Sequence, residues 1–337
     1  MKRFARLLLL LGLVAAAPAR SAEINLYSHR HYEVDKAVFA EFTAQTGIRV
    51  NVVQASADQL IERLRSEGAG SPADLLLTVD AGRLQRAKDA GLLQPTSSAT
   101  LDARVPASLR DPDGHWHGVT VRARVIVYAP DRVKPSELST YGDLADPKWR
   151  GRLLATSAGS VYNQSLVASL LGKTDRDTTL AWTRGVLANL ARRPQGGDRD
   201  QARAIAAGLA DVAIVNTYYI GLLRASDDPK DRAVGEKVAV FFPDQDGAGA
   251  HVNVSGIGVT RSSRNRAEAI RFIEYLTSPE VQTRFATANH EYPLSLDTKA
   301  SPTLEAFGPF KADTASIRRL GELNAGAVEI LGAVGWP

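Results

Sequence analysis

Apolar positions along this chain fall into short runs separated by amphipathic stretches, and the rhythm starts near residue 23. Residues 23–27 and 48–54 predict strands. Between them, residues 34–47 carry Val34, Val38 and Phe42 at helical spacing. Residues 57–66 predict a second helix with Leu60, Ile61 and Leu64 on one face. Residues 74–79 then read as a buried strand, and 80–90 as a helix that stops at Gly91. This alternation predicts an α/β fold with a mainly parallel sheet covered by helices on both faces.

A turn signal, Asp111-Pro112-Asp113-Gly114, interrupts the rhythm. The extended stretch 116–128 follows, rich in Val119, Val121, Val125, Ile126 and Val127, and it predicts a first crossing between two lobes. A second crossing is expected at 241–249, and helices at 264–277 and 279–288. The lobes are expected to comprise residues 22–120 plus 248–295, and residues 121–247 plus 296–337. Two α/β lobes leave a cleft, and ligands favour such interfaces and the carboxyl ends of parallel strands.

The first 21 residues stand apart. Lys2, Arg3 and Arg6 precede an apolar run from Leu7 to Ala17, the pattern of a secretory signal peptide and too short for a membrane span. Removing residues 1–21 leaves 37 basic residues against 37 acidic ones, so the high isoelectric point mostly reports the leader. A neutral mature chain lacks the basic surface that nucleic-acid binding requires. The absence of cysteine excludes disulfides, thiolate metal sites, catalytic thiols and a lipid-anchoring cysteine. A leader without an anchor predicts a periplasmic or released protein, expected as a monomer.

Candidate chemistry sits in three short stretches: Arg30-His31-Tyr32, Val161-Tyr162-Asn163 and Asn216-Thr217-Tyr218-Tyr219. Each lies at a predicted strand-to-helix junction, where side chains point into a crevice. Phenolate is a hard oxygen donor that suits a hard, highly charged cation such as ferric iron, and imidazole is the borderline ligand. Each phenol must lose its proton to bind metal. Four phenolates on Fe(III) leave one negative charge, which Arg122 or Arg124, alternating on one strand face, would offset.

In these residues the chain resembles the ferric-iron-binding periplasmic proteins that deliver iron to ABC transporters. The resemblance covers essentially the whole mature chain. It rests on Tyr27-Ser28-His29-Arg30-His31-Tyr32, Asp146-Pro147-Lys148-Trp149-Arg150-Gly151, Tyr162-Asn163-Gln164-Ser165, Asn216-Thr217-Tyr218-Tyr219, His251-Val252-Asn253-Val254-Ser255-Gly256 and Glu291-Tyr292-Pro293. It implies a two-lobed, type II-like periplasmic-binding-protein fold and an inner-membrane ABC permease as partner. Fe(III) cargo would be held by Tyr162, Tyr218 and Tyr219, with His31 and Tyr32 completing a protein-only shell. A synergistic carbonate beside Arg122 or Arg124, or at the 157–160 loop, remains an alternative, and Arg30 is a candidate supporting group.

Other readings stay open on the sequence. The same fold carries polyamines, sulfate and other small ligands, and a secreted iron enzyme would need an open metal position and a placed acid or base. No nucleophile motif such as G-x-S-x-G is present. His115 and His117 share a strand face, but nothing nearby completes a zinc site, so turn and strand explain them. Tyr27, Tyr128 and Tyr275 are expected in the core and Tyr292 near the hinge.

Overall fold

Strand β1 (Glu23–Ser28) leads through α1 (Glu33–Thr46) to β2 (Arg49–Gln54), α2 (Ala57–Glu67), β3 (Leu75–Thr78) and α3 (Ala81–Asp89) in this computed structural model. Residues 22–295, 300–315 and 317–337 are described, so the expected signal peptide lies outside the described residues. Local signals set these boundaries. Gly47 ends α1 at φ 72°, a left-handed conformation glycine adopts without cost. Ser56 and Gln59 form a reciprocal capping box on α2, and Asp80 caps α3. β1 lies between β2 and β3, parallel to both.

After α4 (Ala99–Arg104) the chain enters β4 (His117–Tyr128), and much later returns along β8 (Ala250–Val259). Both strands are buried along their full length. β4 pairs antiparallel with β8 as far as Ala123, then changes partner and pairs with β6 (Val212–Asn216) from Arg124 onward. β5 (Leu153–Leu154) joins β6, and β7 (Ala239–Phe241) joins the far end of β4. The continuous order is β2-β1-β3-β8-β4-β6-β5. The second crossing strand is therefore β8, just after the 241–249 stretch that the sequence suggested. Gly249, at φ 97°, belongs to the turn that enters it.

The sheet is more mixed than the opening rhythm suggests, because β8 runs antiparallel to β3 and β4, and β4 antiparallel to β6. Helices α5 (Val161–Lys173), α6 (Arg176–Asn189), α7 (Asp198–Ala206), α8 (Thr217–Arg224) and α9 (Pro229–Lys237) belong to the second lobe. α10 (Arg266–Leu276) and α11 (Pro279–Ala288) cover the first. A third link passes at Tyr292, whose backbone N–H and C=O pair with Val121 at 2.8 and 2.9 Å. The chain then runs through α12 (Pro302–Glu305) and β9 (Ala312–Asp313) to α13 (Leu320–Ala333), which packs on α5 and also on α3. Two cores result. One sits under α1, α10 and α11 around Phe42, Phe272 and Phe285; the larger runs from the opposite sheet face, under α2 and α3, through β4 to the helices around β6.

Candidate metal centre

Three helices begin at the cleft, and each brings phenols with its first turn. Tyr32 occupies the N-cap position of α1, Tyr162 is the second residue of α5, and Tyr218 and Tyr219 are the second and third of α8. None of these three helices has a side-chain cap, whereas α2, α3, α4, α6, α9, α11 and α12 do. Their positive ends are thus left for whatever negative charge gathers in the cleft.

The phenols meet. The Tyr218 hydroxyl lies 3.2 Å from that of Tyr32 and 3.2 Å from that of Tyr162. Tyr219 stacks obliquely on Tyr218, with ring centroids 4.1 Å apart. Tyr218 is fully buried and Tyr32 nearly so, while Tyr162 and Tyr219 are half-buried. Burial raises the pKa of Tyr32, with Tyr162 and Glu291 adding to it; burial likewise raises Tyr218 and Tyr219, each helped by its neighbouring phenols. Tyr32, Tyr218 and Tyr219 therefore stay protonated at neutral pH, and a bound cation would have to displace those protons. Three hydroxyls this close, with a fourth phenol stacked beside them, suit a small, highly charged, hard ion.

His31 stands at the rim. It is exposed, its ring centroid is 5.1 Å from that of Tyr32, and its Nδ1 lies 3.5 Å from the His29 carbonyl. Nε2 is the nitrogen left for a metal.

The arginines form a floor beneath the rings rather than a reserve of free charge. Arg30 lies 4.6 Å from the Tyr32 ring centroid and is ion-paired to Asp35 at 2.9 Å and Glu291 at 3.0 Å. Arg122 pairs with Glu291 at 3.2 Å and donates to Ser255 and Val79 O; Arg124 pairs with Asp198 and donates to Asn163 at 2.8 Å. All three are about 1% exposed. Arg122 and Arg124 also lie 6.0 and 5.8 Å from the Tyr162 ring centroid. Each guanidinium has a buried carboxylate partner, Glu291 being shared by Arg30 and Arg122. A cavity of about 10 Å³ lies between Arg122, Arg124, Tyr162, Asn216, His251 and Asn253, room for one water. The 157–160 loop is likewise engaged: Ala158 N donates to Pro337 O at 2.7 Å and Ser160 N to Ser157 O at 3.1 Å.

A family model for bacterial extracellular solute-binding proteins matches residues 70–313. The chain belongs to that family. This solute-binding protein is similar to iron uptake protein A1 of Synechocystis, 50% identical over 323 residues that span 96% of this chain and 90% of that one. Among solved structures, a Trichodesmium protein in complex with iron and citrate ligands matches with a TM-score of 0.89 at 48% identity, covering 94% of this chain and 100% of the other. The ferric binding protein from Campylobacter jejuni matches with a TM-score of 0.90 at 43% identity, over 93% and 100%. The two-lobed fold of this solute-binding protein is thereby established.

Sequence reasoning missed the carboxylates under the site. Glu291 is fully buried and shared by Arg30, Arg122, Thr120 and Asn289. Asp198 and Asp35 are its counterparts for Arg124 and Arg30. A buried arginine must find a carboxylate, so Arg122 and Arg124 implied such partners, but nothing in the sequence says which acid is near. Elsewhere, Asp111, Asp113 and His115 come together, but Lys88 binds both aspartates at 2.6 and 2.7 Å. His117 is buried in the strand start, and Tyr27 and Tyr128 are in the core.

Proposed function

We propose that the chain is the periplasmic ferric-iron-binding component of an ABC-type iron uptake system. In this reading Tyr32, Tyr162, Tyr218 and Tyr219 hold Fe(III) as phenolates and His31 completes the shell through Nε2. The observation that carries it is the hydroxyl of Tyr218 within 3.2 Å of both Tyr32 and Tyr162, phenols brought from both lobes to one point. The names of the relatives, an iron uptake protein and a ferric binding protein, support the same cargo.

The lobes would close on iron, each phenol giving up a proton, and present it to a membrane permease by hinge opening. The expected lobe limits, 22–120 plus 248–295 and 121–247 plus 296–337, belong to this proposal, as do export by a signal peptide and action as a monomer. A protein-only shell is favoured over carbonate. The 10 Å³ space beside Arg122 and Arg124 suits one water, and both guanidiniums are already charge-matched. Binding rather than catalysis follows from the same geometry, because a shell filled by protein donors leaves no open position for a substrate.

Replacing Tyr218 and Tyr219 together by Phe tests the reading against a polyamine or anion carrier on the same fold. Loss of iron binding in a variant that still folds and melts cooperatively supports iron. Iron binding that survives, or a wild-type protein stabilised by a polyamine or sulfate but not by iron, overturns it.

A further inference from the structure

Residues 163–165 follow Tyr162 in the first two turns of α5, and each reaches across to another part of the molecule. Asn163 accepts from Arg124 of β4 at 2.8 Å. Gln164 accepts from Arg83 Nη2 of α3 at 2.6 Å, and Ser165 donates to Asp80, the cap of α3. Asp80 and Arg83 stand on the first lobe, whereas α5 belongs to the second.

Asp80 is fully buried and its carboxylate is fully used. Oδ1 accepts the Arg83 backbone N–H at 2.9 Å; Oδ2 accepts Asn253 Nδ2 of β8 at 2.7 Å together with the Ser165 hydroxyl. One oxygen therefore gathers a donor from a crossing strand and a donor from the opposite lobe. Arg83, 4% exposed, keeps its guanidinium beside Asp80 Oδ1 at 3.5 Å and turns Nη2 to Gln164. Gln164 is held in turn, its Nε2 donating to Ala158 O at 2.9 Å. Ser165 lies three residues after Tyr162, so the two side chains lie on neighbouring parts of one helical face.

We propose that Asp80 and Arg83, with Ser165 and Gln164, form an interlobe latch that positions Tyr162 for the metal and sets how fast the closed protein lets its cargo go. This rests on the iron-binding reading. When the lobes part, the contacts of Ser165 with Asp80 and of Gln164 with Arg83 are lost, so the latch adds little to binding in an open protein. It contributes only in the closed form, where its members are buried. Each hydrogen bond to a charged group that must break before opening slows release by about ten- to a hundredfold. Tyr162 feels it directly, because the turn carrying its ring is the turn being held. The four are positioning residues; none touches the phenol hydroxyls.

The test uses the full mature protein as wild type, Ser165→Ala, and Ser165→Ala with Gln164→Ala. Each is loaded with ferric iron and chased with excess EDTA while the colour decays. The expected result is one iron per chain and an unshifted absorption band in all three, with release about tenfold faster in the single variant and faster again in the double. Cooperative melting of all three iron-free proteins separates a latch from a general loss of folding. Equal release rates overturn the latch. A shifted band or a fall in iron stoichiometry overturns it too, since the side chains then shape the ligand shell itself. If the wild type takes up no iron, the iron reading fails instead. X-ray scattering of the iron-free proteins then decides the latch: a larger radius of gyration in the double variant supports it, and equal radii overturn it.

Discussion

Tyr32 and Tyr218, 186 positions apart, hold their hydroxyls 3.2 Å from each other, with their rings edge to face at 69° and centroids 5.7 Å apart. One sits at the N-cap position of α1 and the other in the first turn of α8. In the proposed hinge motion this pair would form on closure and so couple closure to completion of the phenol cluster.

Tyr218 is the hub, because both Tyr32 and Tyr162 hydrogen-bond to its hydroxyl. Tyr218→Phe keeps the buried ring and removes the oxygen. Iron affinity should drop at least about a hundredfold, more than a supporting residue typically costs. Stability of the iron-free protein should change by about 1–3 kcal/mol, the range for a lost buried hydrogen bond. Competition titration and urea denaturation check the two parts.

His31 is exposed and makes one long contact with its own loop. His31→Ala should leave iron-free stability within about 0.5 kcal/mol, as surface substitutions do. If Nε2 ligates, the variant loses about 10- to 100-fold in iron affinity and its absorption band shifts. An unchanged band and affinity would remove His31 from the shell.

The Arg124–Asp198 pair is buried on both sides. Burial holds the Asp198 carboxyl above its ordinary range, and Arg124 works against that. Arg124→Met strands the carboxylate and should cost about 3–5 kcal/mol at neutral pH. Combining it with Asp198→Asn should recover most of the loss. Additive losses in denaturant melts would show that the two side chains do not act as a pair.

His117 is 2% exposed, and burial, helped by Arg110, pushes its imidazole down to about 4. An unfolded histidine titrates near 6.5, so between these values the unfolded chain binds a proton that the folded chain refuses. Stability from this residue is present above pH 6.5 and falls as the pH drops toward 4, by about 2 kcal/mol at pH 5. His117→Gln should flatten the loss between pH 7 and 5 by that amount. A slope equal to wild type would mean that the imidazole is protonated in place.

Much of this was legible in the sequence, for reasons that can be named. Leu60, Ile61 and Leu64 mark the face of α2 because helical periodicity is local, and the three tyrosine stretches stand out because each sits at a strand-to-helix boundary. The helices begin at Val161 and Thr217, which puts Tyr162 and the Tyr218-Tyr219 pair inside first turns. What stayed hidden depends on distant pairing. Glu291 meets Arg122 across 169 positions, and Ser165 meets Asp80 across 85; no spacing rule connects them. The return crossing was read slightly early because Gly247 and Gly249 resemble a hinge, whereas they form the turn into β8.

Titration of the mature protein with ferric iron, followed by visible absorption, is the most direct test of the central claim. Phenolate bound to Fe(III) gives a strong charge-transfer colour. The account predicts a saturable coloured complex at one iron per chain that is absent from the Tyr218→Phe/Tyr219→Phe protein. A colourless protein that ignores ferric iron, or a colour that survives in that variant, would contradict it.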